Sequence, residues 1–408
     1  MEMIENRQNK SKLRAKLDSA LSGIGAICLI GIIVSIFSGV VSRYVFNASF
    51  GWTEEAGVWF FTYLIFVVLP IATYRSRLLA LSVLVDRFSE RGRVVCRFFA
   101  SVIVCYTIFR LMHSGWSITT ITSGRSVTLG LPNWLKYAPI LASGIMLVVY
   151  QLIDAFEAGK HRNAEIGALL AGLALAVLSI QPGMLAGIAN PTAVLGAAFF
   201  MALIMGTPIA FCMLFAAFMA SSAGDLLPSA AVAHNIVVGS TKYVLLAVPL
   251  FIAAAMIMNI GGLTVRLIAL AKALVGHLRG GLAQVNVVAS VLFGFDSGSS
   301  TADASLLAKM VAPEMTRNGY PPAYTCAVIS SSAILPNLLP PSIALLIFAA
   351  ITNVSVGQLF IAGIVPGLVV AAILLGGGNL APGGQGDGIA APRPHPPPLA
   401  PLLLQGRP

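Results

Sequence analysis

The chain has 408 residues, of which 57% are hydrophobic and only 10% are charged, and its formal net charge is +10. Soluble globular proteins carry about 25% charged residues, so this composition excludes a soluble enzyme, a nucleic-acid-binding protein and a secreted disulfide-rich domain. Two uncharged runs, residues 166–224 and 318–386, each have room for several membrane helices, since one spanning helix needs about 20 apolar residues.

The apolar runs predict about ten spanning helices in an all-α integral membrane protein. The first run, residues 19–42, ends without a small-residue cleavage site, so we interpret it as a spanning helix rather than a signal peptide. The other predicted helices are residues 56–74, 94–121, 135–156, 166–180, 185–205, 209–223, 244–260, 323–350 and 359–375. Residues 281–317 are predicted to form a broken, re-entrant hairpin instead of a spanning helix.

The basic residues indicate the topology of these helices. Strict alternation from a cytoplasmic N-terminus places 18 of the 25 lysines and arginines on the inner side of the membrane. Cytoplasmic loops of membrane proteins carry such an excess. The sequence therefore predicts a cytoplasmic N-terminus, and it assigns the net positive charge to topology rather than to a nucleic-acid partner.

Composition divides the chain into four predicted parts. Residues 1–165 form a four-helix module. Residues 166–183 form a linker helix, and this extra span changes the side of the membrane on which the next part begins. Residues 184–376 form a helical module rich in glycine and proline. Residues 377–408 form a tail rich in glycine and proline that is not expected to hold a packed structure.

A polar stretch at residues 294–303 interrupts the predicted hairpin between two short apolar segments. Non-helical backbone at membrane depth is tolerated only where protein or a water-filled cavity surrounds it, and the ends of half-helices carry partial charges that attract ions. The stretch therefore predicts a hairpin tip at a central binding site. The alternative is an ordinary cytoplasmic loop between two short helices.

A second interruption lies at residues 330–342, inside a long hydrophobic run. Pro340 and Pro341 lack backbone N–H donors. The carbonyl groups one turn earlier are therefore left without helical hydrogen bonds, and an ion can use them. The pattern predicts a broken helix, and the alternative is a simple proline kink between packed helices.

These motifs carry a resemblance to tripartite ATP-independent periplasmic (TRAP) transporters. The large membrane subunit of that family is similar to the stretches 249–251, 258–262, 276–282, 297–303, 319–320, 340–342 and 359–367. The small membrane subunit is similar to the stretches 43–47, 52–55 and 85–87. The chain thus resembles a fusion of the small and large subunits.

The resemblance implies a multi-pass protein of the bacterial inner membrane that imports organic acids by an elevator motion, driven by sodium. C4-dicarboxylates or related carboxylates are the implied substrates, and a periplasmic substrate-binding protein is the implied partner. No cofactor is expected besides sodium as the coupling ion. The residues implied for the first sodium site are Ser297, Gly298, Ser299, Asn337, Pro340 and Pro341. Ser300 and Asp303 are implied to face the substrate.

Two departures from the family stand out. Asp296 occupies a position that is usually small or apolar, next to the Ser297–Ser299 motif. The family's large subunit also has a second, inverted half, and the resemblance stops near Leu375, so the chain is expected to hold the first inverted repeat only. We therefore expect that this chain does not transport by itself.

Two other functions remain as alternatives at the level of sequence. One is a sodium/anion symporter of related architecture that needs no binding protein. The other is an intramembrane serine hydrolase that uses Ser297, although no histidine is well placed to act as its base. Arg110 lies inside a predicted helix, where a charge needs a polar partner, and it is a candidate contact between the two modules.

Overall fold

The computed structural model describes residues 2–75, 85, 87–157, 162–180, 190–223, 229–278, 280–294 and 299–378. Within these ranges the chain is helical, without β-strands, and one isolated antiparallel bridge joins Arg125 to Pro132. The predicted all-α class is confirmed.

The helices of the N-terminal half are α1 (Glu2–Val45), α2 (Gly51–Tyr74), α3 (Glu90–Ile121), α4 (Ala138–Glu157), α5 (Arg162–Leu178), α6 (Pro191–Ile204), α7 (Ile209–Ala223) and α8 (Ser229–Ser240). Those of the C-terminal half are α9 (Ala247–Ile260), α10 (Leu263–Val275), α11 (Gly281–Gly294), α12 (Ser300–Met310), α13 (Ala312–Arg317), α14 (Pro322–Ser332), α15 (Leu335–Leu338), α16 (Ile343–Thr352) and α17 (Val356–Gly378).

Six helices in the described part of the chain are long and apolar enough to cross a membrane. They are Arg14–Val45, Gly51–Tyr74, Glu90–Ile121, Ala138–Phe156, Tyr243–Ile260 and Val356–Gly377. A bent pair, Pro322–Leu338 with Ile343–Thr352, adds a seventh if it counts as one span. Other apolar helices, such as α7 and α11, are shorter than 18 residues. The expected number of about ten spans therefore stays a prediction.

The helices form two compact units, Met1–Tyr243 and Val244–Pro408. The first unit contains the predicted small-subunit module together with α6, α7 and α8. These units reflect contacts between helices and do not test the predicted module boundaries, which stay predictions.

The core of the first unit is shared by side chains from both predicted modules. The ring of Tyr106 on α3 meets the ring of Phe215 on α7 edge to face, with 5.2 Å between their centroids. Both belong to one buried apolar cluster that extends to Val237 on α8. Helices α6 to α8 therefore pack on the small-subunit module through a continuous core.

Arg110 lies in this shared core and is 2% exposed. Its Nη2 atom donates to the Oγ atom of Ser222 at 3.4 Å, and its guanidinium group lies 5.4 Å from the ring centroid of Phe218. The structure thus places Arg110 between α3 and α7, at the contact between modules for which the sequence makes it a candidate.

A polar cluster joins α1, α2 and α4 at one end of the same unit. The carboxylate of Asp18, 6% exposed, accepts from Nε of Arg75 at 2.8 Å and also from the hydroxyl of Tyr150. Nearby, Nη1 of Arg14 bonds Oδ1 of Asp154 at 2.9 Å. Each carboxylate has a cationic partner, so the cluster holds three helices together without leaving a bare charge.

The second unit is built around α11. This helix packs against α10, α12, α14, α15 and α17. Buried side chains of α10 to α14, such as Ile268, Phe293 and Leu307, form its main core. Most of the residues implied for the binding sites lie on the elements around α11.

Candidate functional site

The structure describes six of the eight residues that the resemblance implies for ion and substrate binding. Ser299, Ser300 and Asp303 lie at the start of α12, and Asn337, Pro340 and Pro341 lie in and after α15. Ser297 and Gly298, like Asp296, lie outside the described residues, and so does the tail beyond Gly378.

The predicted hairpin consists of two short helices. Helix α11 has 14 residues and α12 has 11. At 1.5 Å per residue these lengths are about 21 Å and about 17 Å, both below the roughly 30 Å of a bilayer core. Neither helix as described is long enough to span, so both the hairpin and its alternative, a loop between two short helices, stay predictions.

The predicted broken helix is present at Leu339–Ser342, and the segments on either side are bent by 43°. Pro340 and Pro341 are joined by a cis peptide bond. The hydroxyl of Ser342 closes the break, because it donates to the carbonyl oxygen of Asn337 at 2.6 Å and accepts from the backbone N–H of Leu345 at 3.2 Å. The second interaction caps the first turn of α16.

The end of α11 and the broken helix lie against each other. Gly294, the last residue of α11, is so close to the break that a β-carbon built on it would lie 3.2 Å from Cβ of Leu339 and 3.4 Å from Cα of Pro336. Gly294 is the first residue of the polar stretch 294–303. The fold therefore brings the start of the tip to the broken helix, which the implied sodium site requires.

Helix α17 approaches the same break from another side. A β-carbon at Gly363 would lie 2.4 Å from the carbonyl oxygen of Leu338, and one at Gly367 would lie 2.7 Å from Cδ2 of Leu339. At Gly363 the contact is to backbone, which only glycine permits to come this near. These two glycines of the stretch 359–367 thus hold the broken helix in place.

Asp303 is the buried acid of this region, with 1% of its surface exposed. Its Oδ2 atom accepts from the hydroxyl of Ser290 on α11 at 2.9 Å, whereas its buried Oδ1 atom has no hydrogen-bond partner. One turn earlier on α11, Nδ2 of Asn286 donates to the hydroxyl of Ser332 on α14 at 2.7 Å. The polar groups of α11 thus face both α12 and α14.

A cavity of about 400 Å³ opens beside Asp303. Its polar lining includes Asn259, Ser299, Ser305 and Lys309, and its apolar lining includes Met256, Phe293 and Leu306. A small organic acid fits a space of this size, since ligand pockets begin at about 300 Å³. Asp303 and Ser299 therefore line one cavity, and their roles in binding stay predictions.

Three contributors to this region escape the sequence-based analysis: Ser290, Asn286 and Asn259. Ser290 and Asn286 are four residues apart and therefore share one face of α11. Polar residues at that spacing in an otherwise apolar helix are the pattern that would have indicated them.

Comparison with known proteins gives two family matches. Residues 32–160 match the DctQ component of tripartite ATP-independent periplasmic transporters, and residues 195–376 match the DctM component.

Among individual relatives, the chain is 29% identical to the sialic acid TRAP transporter permease protein SiaT of Haemophilus influenzae, over 88% of this chain and 60% of the relative. It is 28% identical to the isethionate TRAP transporter permease protein DctMQ of Oleidesulfovibrio alaskensis, over 79% of this chain and 51% of the relative. The chain is 45% identical to the C4-dicarboxylate TRAP transporter large permease protein DctM of Pseudomonas aeruginosa, over 33% of this chain and 32% of the relative. The chain thus spans between half and two thirds of the length of SiaT and DctMQ, and these relatives are transport permeases rather than enzymes.

Proposed function

Since the chain belongs to the tripartite ATP-independent periplasmic transporters, as a small-subunit module fused to a large-subunit module, we propose that it is a membrane permease that imports organic acids with sodium ions. The observation that carries the proposal is the packing of Gly294, at the start of the polar tip, against the broken helix at Pro336 and Leu339. In transporters of this kind, ion and substrate sites form where half-helix ends and unwound backbone meet.

The first sodium ion binds between the tip residues Ser297, Gly298 and Ser299 and the broken-helix residues Asn337, Pro340 and Pro341. Backbone carbonyls and hydroxyls are the hard oxygen ligands that such an ion prefers. The two prolines support this assignment because they leave carbonyls of the preceding turn without helical donors.

The substrate is an organic acid that enters the cavity beside Ser300 and Asp303. The relatives are named for sialic acid, isethionate and C4-dicarboxylates, all of which are anions. The start of α12 points its backbone N–H groups toward the tip, and the positive end of a helix dipole favours a carboxylate. Which organic acid is carried follows from the ligand of the binding protein.

The partner is a periplasmic substrate-binding protein, and the chain resides in the inner membrane with its N-terminus in the cytoplasm. The family supports the partner and the membrane. The distribution of lysines and arginines supports the orientation.

Sodium-driven uptake into proteoliposomes tests the proposal. Because SiaT and DctMQ are longer than this chain, the vesicles also contain a polypeptide for the rest of the large subunit, and the binding protein is added outside. An inward sodium gradient should drive accumulation that a choline gradient does not drive.

Two variants and one control make the test specific to the site. Ser299→Ala and Pro341→Ala should each weaken the sodium dependence more than they reduce the amount of protein in the membrane. Ser331→Ala is the matched control, because Ser331 is exposed and its hydroxyl only donates to the carbonyl of Val328 on its own helix. A sodium response that is unchanged in both site variants contradicts the assignment of the site.

A further inference from the structure

Two almost fully buried side chains of the second unit each keep one oxygen atom without a hydrogen-bond partner. They are Asp303, which is 1% exposed, and Asn286, which is 0% exposed. In both cases the unpartnered atom is Oδ1, while the other polar atom bonds Ser290 or Ser332. A buried oxygen without a partner destabilises a fold, most of all when it belongs to a carboxylate.

The two oxygens belong to one neighbourhood. Asn286 and Ser290 occupy successive turns of α11, about 6 Å apart on the same face, and Ser290 contacts the carboxylate of Asp303 directly. Helices α12 and α14, which carry Asp303 and Ser332, pack against each other as well as against α11. Four polar side chains from three packed helices therefore belong to this neighbourhood.

The chemistry of this set selects its ligand. A carboxylate, an amide carbonyl and two hydroxyls offer only hard oxygen atoms, and the single nitrogen, Nδ2 of Asn286, already donates to Ser332. Asp303 forms no ion pair with any described residue, so the set carries one uncompensated negative charge. Hard oxygen ligands with a net charge of −1 suit a monovalent cation, whereas a divalent cation draws more carboxylates.

We propose that Asp303, Asn286, Ser290 and Ser332 bind a sodium ion of their own, in addition to the ion held between the tip and the broken helix. The two sites share no side chain.

This ion should affect the binding of the substrate, and that inference rests on the function proposed above. Asp303 also lines the cavity of about 400 Å³. A bare carboxylate there repels an organic acid, since like charges a few ångströms apart in a medium of low dielectric constant disfavour each other strongly. Sodium at Asp303 removes that repulsion, so the ion binds before the substrate and occupancy of the two becomes coupled.

The test measures binding rather than transport. The 408-residue chain is purified into lipid nanodiscs, and its Tm is followed as sodium chloride replaces choline chloride at constant ionic strength. A ligand that binds only the folded state raises Tm with its concentration, so the Tm of the wild-type chain should rise with sodium.

The Asp303→Asn variant separates ion binding from a structural role. It should lose about half or more of the sodium-dependent rise in Tm, because it lacks the charge that holds the ion. Without sodium it should unfold at a higher temperature than wild type, since a neutral amide replaces an uncompensated buried charge. A purely structural role predicts instead a lower Tm in both salts. Asn286→Ala is the second variant and should raise the sodium concentration for half-maximal stabilisation several-fold.

Three outcomes overturn the proposal. One is an Asp303→Asn variant that keeps the full sodium response, and another is a wild-type chain that sodium does not stabilise. The third is a wild-type chain whose Tm rises at acidic pH in choline chloride but does not rise with sodium. That result would mean that Asp303 is neutralised by a proton and not by a sodium ion. Ser299→Ala tests only the sodium site at the tip. If this variant loses the whole sodium response and Asp303→Asn loses none of it, the second ion is refuted and the sodium ion proposed at the tip is supported.

Discussion

At the scale of single residues, the buried charges of this chain differ in how they are balanced. Asp18 has Arg75 within 2.7 Å and a hydroxyl donor from Tyr150. Arg110 has a long contact to Ser222 and lies over the face of Phe218, and its Nε and Nη1 atoms have no hydrogen-bond partner. The first arrangement stabilises three helices, and the second places a charge between modules at a cost in desolvation.

The contribution of Asp18 can be measured by unfolding. Asp18→Ala should lower the free energy of unfolding by about 1–3 kcal/mol, because Arg75 and Tyr150 both lose their acceptor, although Arg75 is 44% exposed and can reach water. Titration of the protein in mild detergent with sodium dodecyl sulfate gives this value. Glu54→Ala is the matched control, since Glu54 pairs with Arg43 at 2.9 Å but both are about half exposed, and its effect should stay below about 1 kcal/mol. Equal effects for the two variants would show that burial of the Asp18 cluster contributes nothing.

At the scale of elements, α17 illustrates how one helix positions the site without contributing ligands. Gly363→Ala places a β-carbon 2.4 Å from the carbonyl oxygen of Leu338, so the helix or the break must shift. The expected cost is about 1–3 kcal/mol, together with a weaker sodium response, because Leu338 follows Asn337. Gly357→Ala is the control on the same helix, since its nearest atom outside the immediate neighbours lies 3.9 Å away. We expect little loss there, and a loss equal to that of Gly363→Ala would contradict the close-packing argument.

The broken helix could be predicted from sequence because its cause is local. Two adjacent prolines remove donors wherever they occur.

Other elements could not be predicted by the same reasoning. Helix α10 carries the exposed Arg266 and Lys272, whereas its Ile268 and Ala271 are buried. A criterion based on long apolar runs does not detect such a one-sided helix, and it also misses the 12-residue α8. The pairing of Asn286 with Ser332 joins residues 46 positions apart, and a sequence shows the polar groups but not which of them meet.

At the scale of the whole molecule, the orientation in the membrane that the loop charges predict can be tested with cysteines. Cys28, Cys96, Cys105 and Cys212 are buried and Cys326 is exposed, so Cys326→Ser gives a suitable background. An impermeant maleimide added to intact cells should label a cysteine introduced at the exposed Arg125 but not one at the exposed Arg91, because the positive-inside rule places Arg91 in the cytoplasm. Labelling at Arg91 and not at Arg125 would invert the topology.

The fusion of the two modules raises the question of whether the covalent link is needed. In the first unit, the buried cluster around Tyr106 and Phe215 contains side chains from α2 and α3 on one side and from α6, α7 and α8 on the other. Tyr137, between α3 and α4, adds a hydrogen bond of 3.1 Å between its hydroxyl and Nδ1 of His234 on α8. In a bilayer, helices associate through such close packing and polar contacts rather than through the hydrophobic effect.

We therefore predict that the two modules associate without the link. Residues 1–183 and 184–408, expressed together as separate chains with an affinity tag on one of them, should copurify in mild detergent. Phe215→Ala combined with Phe218→Ala should reduce the copurified amount roughly tenfold or more, because each truncation removes buried ring contacts worth several times the 1.4 kcal/mol of a tenfold change, and these residues are 6% and 0% exposed. Phe200→Ala on α6 is the matched control, since that ring is 61% exposed and its loss leaves the shared core intact. If the double variant still copurifies and the Phe200→Ala control does not, the contact lies on the other face of these helices. If the unaltered chains do not copurify, the covalent link itself holds the modules together.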